Sequence, residues 1–165
     1  MTTVEGGCWL FGDDIDTDLI LPVHAAISPR AGQRDTVFEA NRPGWVPLVQ
    51  PGDLIVAGRG FGLGSGRPAA RALIDVGIAA VIASTVDGLF LRNAVAYGLP
   101  VLEVPDATAA FVEGDRALVD LDAWSVRNLR TGARHQAKRI PDSLRETMIS
   151  GVLPWLAAQG YVRVE

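Results

Sequence analysis

DLIVAGRGFGLGSGRPAARALIDVGIAAVIASTVDGLFLRNAVAYGLPVLEVP, from Asp53 to Pro105, alternates short apolar runs with stretches of helical spacing. Leu54-Ile55-Val56-Ala57, Ala79-Ala80-Val81-Ile82-Ala83 and Val101-Leu102-Glu103-Val104 are only a few residues long, which suits buried strands better than helices. Between them, Pro68 to Gly77 places Ala70, Leu73 and Ile74 on one side of a helix, and Val86 to Tyr97 turns Leu89, Phe90 and Val95 inward. Gly77, Gly98 and Pro100 fall just past these helices, where a left-handed cap or a stop belongs. Strand, helix, strand, helix, strand in this order needs right-handed crossovers that lay helices on a largely parallel sheet. Residues 53 to 105 therefore read as an α/β core.

Downstream the pattern changes. Ala117 to Leu121 and Ser125 to Asn128 flank a turn at Asp122-Ala123, and Arg130-Thr131-Gly132-Ala133 turns again before His135 to Ile140, so a β-rich layer of short antiparallel strands is expected beside the core. From Pro141, the apolar Leu144, Met148, Val152, Leu153 and Leu156 are interrupted by Gly151 and Pro154, which predicts two short helices. Residues 28 to 50, rich in Pro, Gly, Arg and Asn, are expected to form a mobile surface loop. No repeat or low-complexity linker divides the chain, and residues 1 to 165 read as one domain.

Of the 165 residues, 48% are hydrophobic and 21% charged, enough apolar side chain for a core and incompatible with global disorder. The net charge of -4 argues against a protein whose main task is neutralising nucleic-acid phosphates, and no nucleic-acid partner is expected. Cys8 is the only cysteine, so the chain alone completes neither a disulfide nor a cysteine-ligated zinc or iron-sulfur site. Any such cofactor belongs to a partner. No basic region precedes an apolar core at the N-terminus and no stretch nears the roughly 20 apolar residues of a membrane span, so a cytoplasmic protein is expected, with no membrane contact.

Gly58-Arg59-Gly60-Phe61-Gly62-Leu63-Gly64-Ser65-Gly66-Arg67-Pro68 puts glycine at every second position between a strand and a helix. Glycine lets backbone amides approach a ligand, Pro68 suits a helix start, and free amides there beside Arg67 would hold a carboxylate or phosphate. Neither the dinucleotide-binding glycine spacing nor a Walker loop is met. The alternative is a tight connection whose glycines only permit close packing. A second feature, Gly12-Asp13-Asp14-Ile15-Asp16-Thr17-Asp18, packs four carboxylates into six residues. That density suggests a hard cation or acid-base work, but the calcium-loop spacing fails and a solvated acidic turn is the simpler reading. His24 and His135 lack paired ligand spacing, so no metal site is expected.

Together these segments resemble the small subunit of 3-isopropylmalate dehydratase, the swivelling domain of the aconitase superfamily. The likeness runs from Phe11 to Pro22 (FGDDIDTDLILP), through Pro51 to Gly58 (PGDLIVAG) and the glycine loop. It resumes at Gly77 to Ala83, Leu89 to Ala94, Gly98 to Glu103, Arg127 to Gly132 and the closing Pro141 to Leu156. The resemblance implies a three-layer β/β/α swivelling fold with a mixed, mostly parallel sheet, and a hydro-lyase of leucine biosynthesis or a related pathway. It also implies a separate large subunit carrying a four-iron four-sulfur cluster, whose open iron acts as a Lewis acid on the substrate's hydroxyl and a carboxylate, while this chain binds no cofactor.

By position, the resemblance assigns three catalytic residues: Ser65 as an alkoxide base, Arg67 as the clamp on a substrate carboxylate and Asp18 as the aspartate of the acidic motif. It sets Gly64, Gly66, His24, Asp16 and Thr17 around the substrate. Two departures stand out. Where the family reads Gly-Ser-Ser-Arg-Glu-His, this chain has Gly64-Ser65-Gly66-Arg67-Pro68-Ala69. After Pro22, Val23-His24-Ala25-Ala26-Ile27 replaces a Gly-Arg-Tyr-Leu-like loop that reads the substrate's variable group. The expected substrate is a 2-hydroxy di- or tricarboxylic acid of the isopropylmalate, citramalate or dimethylmalate type. A catalytically impaired paralogue and a free anion-binding module remain as other readings.

Overall fold

The computed structural model describes residues 1–163. Its strands are β1 (Thr3–Leu10), β2 (Leu54–Ala57), β3 (Ala80–Ala83), β4 (Val101–Glu103), β5 (Arg116–Asp120), β6 (Ser125–Asn128) and β7 (Arg134–Gln136), in the order β4-β3-β2-β1-β5-β6-β7. The helices are α1 (Thr17–Ile20), α2 (Val23–Ala26), α3 (Arg30–Gln33), α4 (Ala69–Val76), α5 (Gly88–Tyr97), α6 (Ala107–Ala110), α7 (Asp142–Ser150) and α8 (Val152–Ala158).

β2 and β3 are buried at every residue, which explains why their sequences show no alternation: both faces are covered. β1 to β4 pair in parallel, and α4 and α5 make the crossovers between them. α4 ends as expected at Gly77, whose φ of 118° lets its own amide and that of Ile78 return to the carbonyls of Leu73 and Ile74. α5 buries Phe90, Ala94 and Val95. Leu89, expected to face inward, is instead 37% exposed: it lies in the first turn of α5, beside Gly66.

The β-rich layer forms from β5, β6 and β7, paired antiparallel. β1 belongs to both halves: Cys8, Trp9 and Leu10 pair in parallel with β2, while Thr3 to Gly7 pair antiparallel with β5. The antiparallel half then turns back over the parallel one. β4 and β7 lie at opposite ends of the strand order, yet just past β7 the Lys138 amide donates to the Glu103 carbonyl of β4 at 2.8 Å and its ammonium meets that residue's carboxylate at 3.2 Å. This return shortens the strand expected over residues 135 to 140 to Arg134–Gln136.

β1 is the element that sequence patterning did not disclose. Its Glu5-Gly6-Gly7 centre has poor strand propensity. Glycine is required there because a side chain at Gly6 would overlap the Gly52 carbonyl. Residues 28 to 50 also depart from expectation. Rather than forming a surface loop, they send Val37, Phe38, Trp45, Val46 and Val49 into the core. Phe38 and Trp45 pack on Phe11, with ring centroids 4.3 Å and 5.5 Å from it, and the Arg42 guanidinium lies over Phe11 and Trp9. The two helices from residue 142 meet at Gly151, as its position in the sequence suggested.

Asp115 ties the antiparallel half together. Its side chain is 2% exposed and accepts from Arg130 Nε at 2.5 Å, Asn128 Nδ2 at 2.8 Å and the Val112 amide at 3.0 Å. The Arg130 guanidinium, then the Val112 amide, hold its carboxyl well below the usual carboxylate range against the opposing effect of burial. A depressed folded-state value means the unfolded chain binds the proton first. The stabilisation is therefore complete above the unfolded value of about 3.9 and is lost as pH falls below it. Unfolding midpoints measured from about pH 6 to pH 3 should drop on the acid side, and Asp115→Asn should flatten that acid limb while lowering stability at neutral pH.

Candidate active site

After β2 the glycine segment runs between two neighbouring stretches, held by isolated backbone pairs rather than as a regular strand, with positive φ at Gly60, Gly62 and Gly64. On one side Gly58 N donates to Gly12 O, Asp14 N to Arg59 O, Gly62 N to Ile15 O and Thr17 N to Leu63 O, at 2.6–3.1 Å. On the other, Phe61 N donates to Thr85 O at 3.1 Å, Asp87 N to Phe61 O at 2.9 Å and Gly60 N to Thr85 Oγ1 at 2.8 Å. The chain passes so close to its neighbours that a side chain at Gly58 would overlap the Asp13 carboxylate and one at Gly62, where φ is 81°, would overlap Phe90. Close packing is thus the reason for the first glycines. Gly66 is different: its φ is ordinary, and a Cβ there would meet nothing nearer than Leu89 at 3.8 Å.

The acidic stretch grips this segment. Asp13 Oδ1 accepts from Arg59 N at 2.7 Å, and Asp16 caps α1 by accepting from Leu19 N at 2.8 Å. Thr17 is 2% exposed, and its Oγ1 accepts from Ser65 N at 3.1 Å and lies 3.5 Å from Ser65 Oγ. Asp18, the next residue, forms an ion pair with Arg67. Three of the carboxylates therefore serve the glycine loop and the start of α1. No group of three or more His, Cys, Asp or Glu among the described residues is arranged to hold a metal ion.

Seven of the eight site residues expected from the sequence come together: Asp16, Thr17 and Asp18 from the α1 end, and Gly64, Ser65, Gly66 and Arg67 from the loop. Gly64, at φ 107°, has Thr17 Oγ1 only 3.0 Å from where a Cβ would stand. Gly66 lies between Ser65 and Arg67 without a structural constraint of its own. His24 does not join them: its Nε2 faces Glu39 Oε1 at 3.0 Å, and it makes no polar contact with Ser65, Thr17 or Arg67. Ser65 is exposed, whereas the Arg67 side chain is only 18% exposed.

The helix start is less open than the sequence suggested. Ala69 N turns back to Arg67 O at 2.7 Å across Pro68, and Ala70 N is taken by Asn93 Oδ1 of α5 at 2.9 Å. The amides of Gly64, Gly66 and Arg67 donate to no acceptor among the described residues. Asn93 was not singled out from the sequence. Its side chain substitutes for the capping group that Pro68 cannot supply. A cleft of 470 Å³ lined by Asp13, Arg59, Ser84, Thr85 and Asp106 contains neither Ser65 nor Arg67.

Residues 33–107 match the family model described as the aconitase C-terminal domain. The 3-isopropylmalate dehydratase small subunit of Methanosarcina acetivorans is 39% identical, over 91% of this chain and 93% of that one. The chain belongs to the 3-isopropylmalate dehydratase small-subunit family. The small subunit of an isopropylmalate/citramalate isomerase from Methanocaldococcus jannaschii is 34% identical, over 93% of each chain. A crystal structure of 3-isopropylmalate dehydratase from that organism superposes with a TM-score of 0.89 at 28% identity, covering 96% of each chain. The β/β/α swivelling fold of this family is the one described above.

An iron-sulfur cluster does not fit the donor set of this small-subunit family member. Cys8 is 2% exposed, and burial, with the nearby Asp115 and Asp53 carboxylates, pushes its thiol up to about 12, unsuited to a thiolate ligand. By the resemblance drawn from the sequence, Gly66 stands where the family carries a second loop serine, and a Cβ there would meet nothing nearer than 3.8 Å. Gly66→Ser should therefore leave the unfolding midpoint unchanged while lowering KM or raising kcat by about fivefold, the size of one added hydrogen bond. Steady-state kinetics of the assembled enzyme would show it.

Proposed function

We propose that this chain is one swivelling unit over residues 1–165 and the small subunit of a hydro-lyase that dehydrates and rehydrates a 2-hydroxy di- or tricarboxylic acid. It works with a large subunit that carries the iron-sulfur cluster. The observation that carries this reading is an exposed Ser65 tied through its amide to Thr17 Oγ1, while the next residue, Asp18, pairs with the mostly buried Arg67 of the same loop, which is pinned from both sides. Exposed Leu63 and Leu89 flank the loop, an apolar rim suited to a partner's surface.

In this reading Arg67 binds a substrate carboxylate by parallel N–H···O bonds and fixes the adjacent C–H against Ser65 Oγ. Ser65, as the alkoxide, takes the proton on Oγ, the C–H electron pair becomes the double bond, and the C–O bond breaks to release hydroxide, which the large subunit's cluster would accept as a Lewis acid. Serine is a poor base in water. Thr17 supplies the local support: its oxygen already accepts from Ser65 N, leaving its O–H to donate to a Ser65 alkoxide. The unpaired loop amides and Arg67 add positive potential where charge develops. Val23, Ala25, Ala26 and Ile27 put smaller side chains where the family carries its tyrosine, while His24 is turned to Glu39, so the region that reads the variable group differs. A citramalate-like or dimethylmalate-like acid therefore stands beside isopropylmalate among the substrates to test.

The test is ultraviolet absorbance from a new carbon-carbon double bond, measured anaerobically with this chain, its large subunit and a panel of those three acids. Signal that requires both chains supports the reading. Silence across the panel with a complex formed would replace it with the inactive paralogue. In an active complex, Arg67→Lys should raise KM and lower kcat/KM by at least about a hundredfold, because a point-like ammonium cannot make the paired contact. Unchanged KM would remove the clamp role.

A further inference from the structure

We propose that Asp18 is a built-in competitor for the Arg67 guanidinium, occupying the seat of the substrate carboxylate and so barring ambient monocarboxylates from the site. The proposal rests on the reading of Arg67 as the carboxylate clamp and changes the role of Asp18 from catalytic to selective.

Arg67 is mostly buried, and its ion pair with Asp18 takes up its charge; the next acceptor in reach, Leu21 O, is at the long distance of 3.5 Å. Asp18 is 62% exposed, so its side chain can swing into water at little cost. Its backbone cannot follow, because Asp16 caps α1 and Thr17 N is bonded to Leu63 O. The carboxylate is therefore tethered beside Arg67 by a short side chain, at an effective concentration on the order of millimolar or above. A free monocarboxylate below that concentration loses the competition. A substrate with two carboxylates, anchored elsewhere by the first, presents the second to Arg67 as another tethered group and competes on equal terms. The same pair would keep Arg67 from collecting inorganic anions between turnovers.

The test uses acetate as the probe and the full chain without a partner. Nitrogen-15 spectra following the Arg67 Nε–H signal are recorded during acetate titration of wild type, Asp18→Asn and Asp18→Ala, with amide dispersion verifying the fold of each. Acetate should bind Asp18→Ala at least about tenfold more tightly than wild type, with Asp18→Asn between, since asparagine still accepts a hydrogen bond but carries no charge. Equal or weaker binding in both variants, or an Arg67 signal that acetate never moves, overturns the proposal. Failure of the clamp reading looks different: acetate would still compete with Asp18 at Arg67, but Arg67→Lys would leave KM unchanged in the assembled enzyme.

Discussion

Ser65→Ala is expected to lower kcat/KM of the assembled enzyme by about a thousandfold or more and to leave the unfolding midpoint of this chain where it is. The Ser65 hydroxyl is exposed, and its one recorded side-chain partner, Thr17 Oγ1, stands at 3.5 Å, so the native fold loses little with it. The bond that positions the loop runs from the Ser65 amide to Thr17 Oγ1, and alanine keeps it. Loss of turnover without loss of stability therefore isolates the hydroxyl as the proton acceptor. Retained turnover would assign the base elsewhere, and parallel loss of both would make Ser65 structural. Steady-state rates and denaturant melts on the same preparations separate these outcomes.

For stability the largest effect is expected at Gly62. Gly62→Ala should cost more than about 3 kcal/mol in denaturant unfolding, because two penalties coincide. The residue sits at φ 81°, where a side chain is strained, and the new methyl would overlap Phe90 Cβ and Cγ. Phe90 has little room to yield: it is 2% exposed and packs edge-on against Phe61 with ring centroids 5.1 Å apart. Gly66→Ala is the control, with an ordinary φ and open space, and should change stability by less than about 0.5 kcal/mol. Similar costs at both positions would mean that the loop relaxes freely and that the alternating glycines are not a packing device.

How the glycine loop could be read from sequence shows where patterning works. Its position between β2 and α4 followed from periodicity, and Ser65 and Arg67 followed from the family resemblance. That each early glycine has a neighbour pressed against it could not be read, because Asp13 and Phe90 come from distant parts of the chain. The same holds for residues 28 to 50. Their Pro, Gly and Arg content predicted solvent exposure, yet Phe38 and Trp45 find Phe11 across the fold and bury with it.

The amino-acid sequence by itself determined the α/β core, the boundaries of β2, β6 and the two crossover helices to within two residues, and the helix break at Gly151, because local apolar periodicity and glycine caps act over a few residues. It also determined that one cysteine cannot ligate a cluster. Only the tertiary structure decided that β1 joins a parallel and an antiparallel half, that Asp18 stands on Arg67 and Thr17 under Ser65, that Asn93 caps α4, and that His24 turns to Glu39. Those contacts join residues 15 to 117 positions apart, or depend on side-chain orientation, and neither quantity is written in local periodicity.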